Sequence, residues 1–197
     1  MSRREVYATT GTSIRVRVFA GYDFVEEDLP RADFAAHGYA HGVPMGADLP
    51  ADPKGRAPAL LIRALRDPNG ANLDRVQVVK GWLKANGETA EKVYNIAWSG
   101  DRKPGRGGKL PAVGNTVDVE AASWNNSIGA ATLAGFWQDP DFDPKQSAFY
   151  YIRVLEIPTP RWTTYDRKVF GVEVPENFPN VIQERAYTSP IWYQPGK

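Results

Sequence analysis

Residues 147–166, SAFYYIRVLEIPTPRWTTYD, narrow the folds open to this chain more than any other stretch. In extended conformation Phe149, Tyr151, Arg153 and Leu155 share one face, and Tyr150, Ile152, Val154 and Glu156 share the other. Aromatic and β-branched residues recurring at period two predict a strand. Large apolar groups on both faces predict a central strand, with Phe149, Tyr151 and Leu155 between two sheets. Pro158 and Pro160 end it, because proline has no amide hydrogen to give to a ladder.

The rest of the chain reads as short strands around that centre. Val16 and Val18 alternate with Arg15 and Arg17, which predicts a half-buried strand. Residues 60–66, 74–82, 92–98, 116–123, 130–137, 168–174 and 186–193 are predicted strands. Asp67-Pro68-Asn69-Gly70 and Asn86-Gly87 supply turns between them. Residues 21–56 have little periodicity and predict a long surface excursion. Residues 99–115 predict an exposed basic loop, and residues 99–112, with glycines, prolines and basic side chains, are expected to be mobile. The 18 glycines and 16 prolines suit many tight turns. About nine strands at this spacing predict an all-β, immunoglobulin-like antiparallel sandwich with long loops. No helix longer than a turn or two is predicted after residue 12. SRREVYATTG itself reads as the end of a helix running into a strand or turn.

Composition excludes several classes. A net charge of +1 provides no field for nucleic acid or an anionic membrane. The absence of cysteine excludes disulfides and thiolate metal sites. No apolar run approaches the ~20 residues of a membrane helix, so no membrane insertion is expected. The first residues carry no hydrophobic signal core, and localisation stays open.

Three groups of residues carry candidate chemistry. His37 and His41, four apart, can share a helix face and hold zinc. Against this, Gly38 and Gly42 disfavour a helix, and no glutamate follows His37. The alternative is a pair of loop histidines that cap or pack. Asp139, Asp141 and Asp143 in DPDFDP alternate as oxygen ligands of a structural calcium do. The prolines and the missing glycine and bidentate glutamate favour a solvated turn. Arg161, Trp162 and Tyr165, beside Asp166, can stack on a sugar or base, or form a corner buried against a sheet. GRGGK at 105–109 has the composition of a phosphate loop but the wrong spacing.

Several segments resemble a known family. REVYATTG (4–11), AHGVPMGADLP (40–50), NLDRVQVVKGW (72–82), KVYNIAWSGDR (92–102), AFYYIRVLEIPTPRWTTYD (148–166) and ERAYTSPIWY (184–193) resemble the C-terminal part of the bacterial family known as domain of unknown function 3604. IPTPRW and ERAYTSPIW are the most specific of these. That family resembles metallohydrolases of the polymerase-and-histidinol-phosphatase type, a group that includes carbaryl hydrolases. The resemblance implies an upstream catalytic barrel, as a domain or subunit, whose histidines and aspartates hold a divalent metal. Neither an HxH nor an Asp-x-His motif occurs in this chain, so no family metal ligand transfers to it. The resemblance therefore implies a non-catalytic accessory sandwich at residues 13–197, with residues 1–12 the remnant of a barrel or linker. It is expected as a fragment, a truncated gene product or a separate subunit. Relatives resemble periplasmic or secreted proteins. The alternative is an independent sandwich binding a carbohydrate or other ligand, suggested by six tryptophans and nine tyrosines.

Overall fold

The computed structural model describes residues 2–196. Met1 and Lys197, the outer bounds of the two expected segments, lie outside the described residues. In chain order the elements are β1 (Tyr7–Thr9), β2 (Arg15–Gly21), α1 (Phe34–His41), β3 (Val43–Pro44), β4 (Asp48–Leu49), β5 (Ala59–Leu65), β6 (Leu73–Leu83) and β7 (Thr89–Trp98). There follow β8 (Thr132–Gln138), β9 (Ala148–Glu156), β10 (Thr159–Pro160), α2 (Trp162–Phe170), β11 (Val181–Ile182), β12 (Arg185–Thr188) and β13 (Ile191–Tyr193).

The strand at 148–156 is central, as its two apolar faces require. One edge of β9 pairs with β6, and β7 continues the sheet beyond it. The other edge takes β12 and then β13, end to end. Strand β1 flanks β12, and β4 lies parallel to β13. A second antiparallel sheet has the order β3-β2-β5-β8. Val16, Val18, Leu60, Ile62 and Leu133 of this sheet pack against Val76, Val78, Tyr150, Ile152 and Val154 of the first. The result is an all-β architecture of two main sheets, with β10 and β11 paired as a separate two-stranded sheet.

Which face of β9 turns inward differs from expectation. Tyr150, Ile152, Val154 and Glu156 are buried between the sheets, while Phe149, Tyr151, Arg153 and Leu155 face outward and are half-buried. Alternation assigns two sets of side chains but not the side on which a second sheet lies.

The excursion after β2 folds back to build a second core. Phe24, Leu29 and Phe34 cover Phe19, Leu61 and Phe136 on the outward face of the smaller sheet. Helix α1 forms there although it contains Gly38. A Cβ at that position would stand 2.2 Å from Phe19 Cδ2, so only glycine lets the helix lie so close to β2. The nine-residue α2 is the second exception to the helix-poor expectation. It takes up the first part of the expected strand 168–174 and ends at Gly171, whose φ of 66° permits a left-handed cap. Residues 116–123 join no sheet, and a single bridge between Asp118 and Ser123 closes them into a tight turn. Residues 2–12 contain no helix. They hold β1, with Tyr7 opposite Thr188.

The loop after β7 is tethered. Arg102 places Nη2 2.7 Å from Asp74 Oδ1, whose side chain is fully buried. The same guanidinium donates to the carbonyls of Ser99 and Pro111, each at 3.0 Å, and so spans the loop. Ser99 and Leu110 are buried, while Lys103 and Arg106 are exposed.

Glu156, at the end of β9, is 1% exposed. Its Oε1 has no hydrogen-bond partner among the described residues. Burial raises its carboxyl to about 7, against the pull of the nearby Thr12 hydroxyl, and Asp67 and Glu184 add to the rise. The folded state thus holds a proton that the unfolded chain releases near its ordinary value of 4.5. This contribution is fully present below pH 4.5 and is lost as pH rises to about 7. We expect stability to fall by roughly 3 kcal/mol over that range on this account. Glu156→Gln is expected to remove that slope in urea titrations between pH 5 and 8. An unchanged slope in the variant would assign the effect elsewhere.

Candidate functional site

The two histidines do share a helix face. Their rings lie 4.4 Å apart on α1, and His41 Nδ1 sits 3.0 Å from the His37 carbonyl. His37 Nε2 lies 3.0 Å from Asp28 Oδ1, and Asp28 Oδ2 accepts the Val25 amide at 3.1 Å. Burial works against ionisation of Asp28, but the Val25 amide and His37 together hold its carboxyl below the usual range. This arrangement ties α1 to the turn before it. Among the described residues, no three histidine, aspartate or glutamate side chains converge as metal ligands would.

The three alternating aspartates go to separate partners. Asp139 is buried, with Oδ2 2.6 Å from Lys80 Nζ and accepting the Tyr150 hydroxyl at 2.7 Å. Lys80 also donates to the Asp141 carbonyl at 2.7 Å. Asp141 Oδ2 accepts Lys92 and Tyr94, both at 2.5 Å. These two bonds hold its carboxyl below the ordinary value, Lys92 contributing most. Burial first, and then Asp141, raise the Tyr94 phenol. Asp143 Oδ1 accepts the Lys145 amide at 2.9 Å. The segment is a closing strap for one end of the sandwich, with its carboxylates committed to lysine, tyrosine and backbone donors. Sequence reasoning missed Lys80. The signal was there: it shares parity with Val76, Val78 and Trp82, and a lysine on an apolar face needs a buried partner.

Arg161, Trp162 and Tyr165 have different surroundings. The Arg161 guanidinium lies 5.4 Å over the Phe178 ring, and Tyr165 is half-buried. Trp162 is 63% exposed. Helix α2 is held down by polar groups: Thr163 and Thr164 are its buried residues, and the Thr164 hydroxyl donates to the Asn180 carbonyl at 2.7 Å. Its apolar side chains point away from the sandwich. Val169 and Phe170 are 68% and 72% exposed, and Val172 and Phe178 follow with large exposed surfaces. Trp162 and Val169, seven residues apart, fall on one stripe of the helix, with Phe170 beside it.

Two clefts lie on the outward faces of the sheets. One, of about 700 Å³, runs between Tyr7, α1 and the smaller sheet, and is lined by Arg15, Arg17 and Leu65 among others. The other, of about 630 Å³, is bounded by the end of β6, the start of β7 and β13. Beside it four rings cross the outward face of the larger sheet. Phe149 stands 5.3 Å from Trp192 and 6.4 Å from Tyr151, and Tyr151 stands 6.4 Å from Tyr187. Parity in FYYIRVL puts Phe149 and Tyr151 on one face, but Tyr187 and Trp192, of opposite parity and in separate strands, join them only through register.

The family model described as a protein of unknown function (DUF3604) matches residues 1–195. No curated protein and no solved structure matches the chain.

Proposed function

The chain belongs to the DUF3604 family of proteins of unknown function, and from that membership we propose that it is a non-catalytic β-sandwich accessory region of a metal-dependent hydrolase. In this reading it packs on or covers a catalytic barrel of the kind implied by the family's resemblance to polymerase-and-histidinol-phosphatase-type enzymes. The barrel supplies the metal ligands and the reaction. This chain supplies a docking face.

The observation that supports it is the outward apolar side of α2. A helix that buries two threonines and presents Trp162, Val169 and Phe170 to solvent is inverted relative to a surface helix of a free-standing domain. Tryptophan and phenylalanine on an exposed stripe suit a protein surface that covers them. Two interior pairs are consistent with the same reading: His37 lies against Asp28, and Asp139 lies against Lys80.

The purified chain is expected to show no metal-dependent ester or phosphoester hydrolysis. Turnover that a chelator abolishes would overturn the proposal. Mixed with the barrel region of a longer family member, the wild type is expected to co-elute. Trp162→Ala with Phe170→Ala is expected to weaken that association roughly tenfold or more. Because both side chains are exposed, the fold itself should change little. Association unaffected by the double substitution would remove α2 as the docking face.

A further inference from the structure

The cleft on the larger sheet has a floor made by a missing side chain. Phe149 pairs with Gly81 across β9 and β6. A Cβ at Gly81 would stand 2.3 Å from Phe149 Cζ, so the ring lies across bare backbone. Trp192 pairs with Phe149 from the other side and is 40% exposed. Tyr151 continues the row, its plane within 14° of that of Phe149. The row is therefore fixed by packing and pairing before any ligand arrives, which lowers the ordering cost of binding.

The rim of the cleft carries polar groups beside the exposed Leu83, and no lysine or arginine lines it among the described residues. Thr89, Glu91 and Gln194 line it, are exposed, and make no side-chain hydrogen bond among the described residues. A flat aromatic floor with neutral and acidic hydrogen-bonding groups at the edge suits a ligand with C–H faces and hydroxyl edges. Glu91 can accept hydrogen bonds from hydroxyls and repels carboxylate or sulfate groups. We propose that this cleft binds a neutral, flat, β-linked oligosaccharide. Trp192 and Phe149 stack against its sugar rings, and Glu91 and Gln194 bond its hydroxyls. The site stands independently of the α2 docking face, which follows Glu156 at the opposite end of β9.

The test is titration of the whole chain with cellohexaose, xylohexaose and chitohexaose, followed by tryptophan fluorescence and calorimetry. At least one is expected to bind. Trp192→Ala is expected to weaken that binding roughly tenfold, and Trp162→Ala to leave it unchanged. Binding by none of the three overturns the proposal, as does equal affinity in Trp192→Ala or a loss in Trp162→Ala. Self-association that Trp192→Ala abolishes, without sugar binding, also overturns it and marks the face as an interface between copies. Should Trp192→Ala fail to fold, Trp192→Phe identifies the Trp192 indole N–H signal by its loss from the NMR spectrum. That wild-type signal is expected to shift with the bound sugar, and an unmoved signal overturns the proposal.

Discussion

Lys80→Met is expected to destabilise the sandwich by roughly 3–5 kcal/mol in urea denaturation, because it strands a buried carboxylate. Lys80 is 3% exposed and Asp139 fully buried, with 2.6 Å between Nζ and Oδ2. Methionine fills much of the space of the lysine stem, so a lost cavity contribution is a small part of the effect. What remains is a buried carboxylate that, among the described residues, accepts the Tyr150 hydroxyl and the Asp141 amide. Lys80→Met combined with Asp139→Asn should recover most of the loss, since asparagine keeps an acceptor for those donors and removes the charge. A domain of this size has a total stability of ~5–15 kcal/mol, so the single variant stands near the edge of folding and the double variant away from it. A double variant no more stable than the single one would show that the charge of Asp139 is not the source of the loss.

Tyr150→Ala is expected to cost about 3–5 kcal/mol from lost burial and the cavity left behind. The side chain is 1% exposed and lies between Trp137, at 6.0 Å between ring centres, and Lys80. Tyr150→Phe separates the two contributions. It keeps the ring and removes one bond to a charged acceptor, worth roughly 1.5–3 kcal/mol. Phe149→Ala, next in sequence, acts on the outward face and should cost about 1–2 kcal/mol, because its ring is only partly withdrawn from water. Equal losses at Phe149 and Tyr150, measured by chemical denaturation, would mean that the inward face of β9 has been assigned to the wrong set of residues. Both experiments report on the same end of the sandwich, since the Tyr150 hydroxyl and Lys80 meet at Asp139. Their energies should therefore be non-additive when combined.

The local pattern of this chain was enough for its longer strands, but not for 116–123, which join no sheet, or for 168–174, which begin in α2. Period-two alternation in FYYIRVLE and in DRVQVVKGW, stopped by Pro158 and Asn86-Gly87, encodes extended segments with two distinct faces. The all-β class and the central place of 148–156 follow from those segments, because both faces of that strand must be covered. The same alternation placed Lys80 with Val76 and Val78, and so contained the buried ion pair in latent form. The helices were less legible. In α1 Gly38 argues against helix by propensity, and the close approach of Phe19 overrides it. In α2 the alternation of KVFGVEV reads as strand, although Val169 and Phe170 lie on a helix whose apolar side faces away from the sandwich.

Tertiary structure decided what alternation leaves open. It chose which face of β9 meets the second sheet, since period two marks two faces equally and only the position of β2, β5 and β8 selects one. It separated Asp139 and Asp141, neighbours in sequence, by giving them donors from distant strands, Lys80 and Lys92, while Asp143 accepts only the local Lys145 amide among the described residues. It brought Trp192 beside Phe149, distant in the chain, through the pairing of β13 with β9. Strand propensity is written in neighbouring residues. Register and sheet packing depend on contacts between distant ones, and the candidate sites of this protein are made of those contacts.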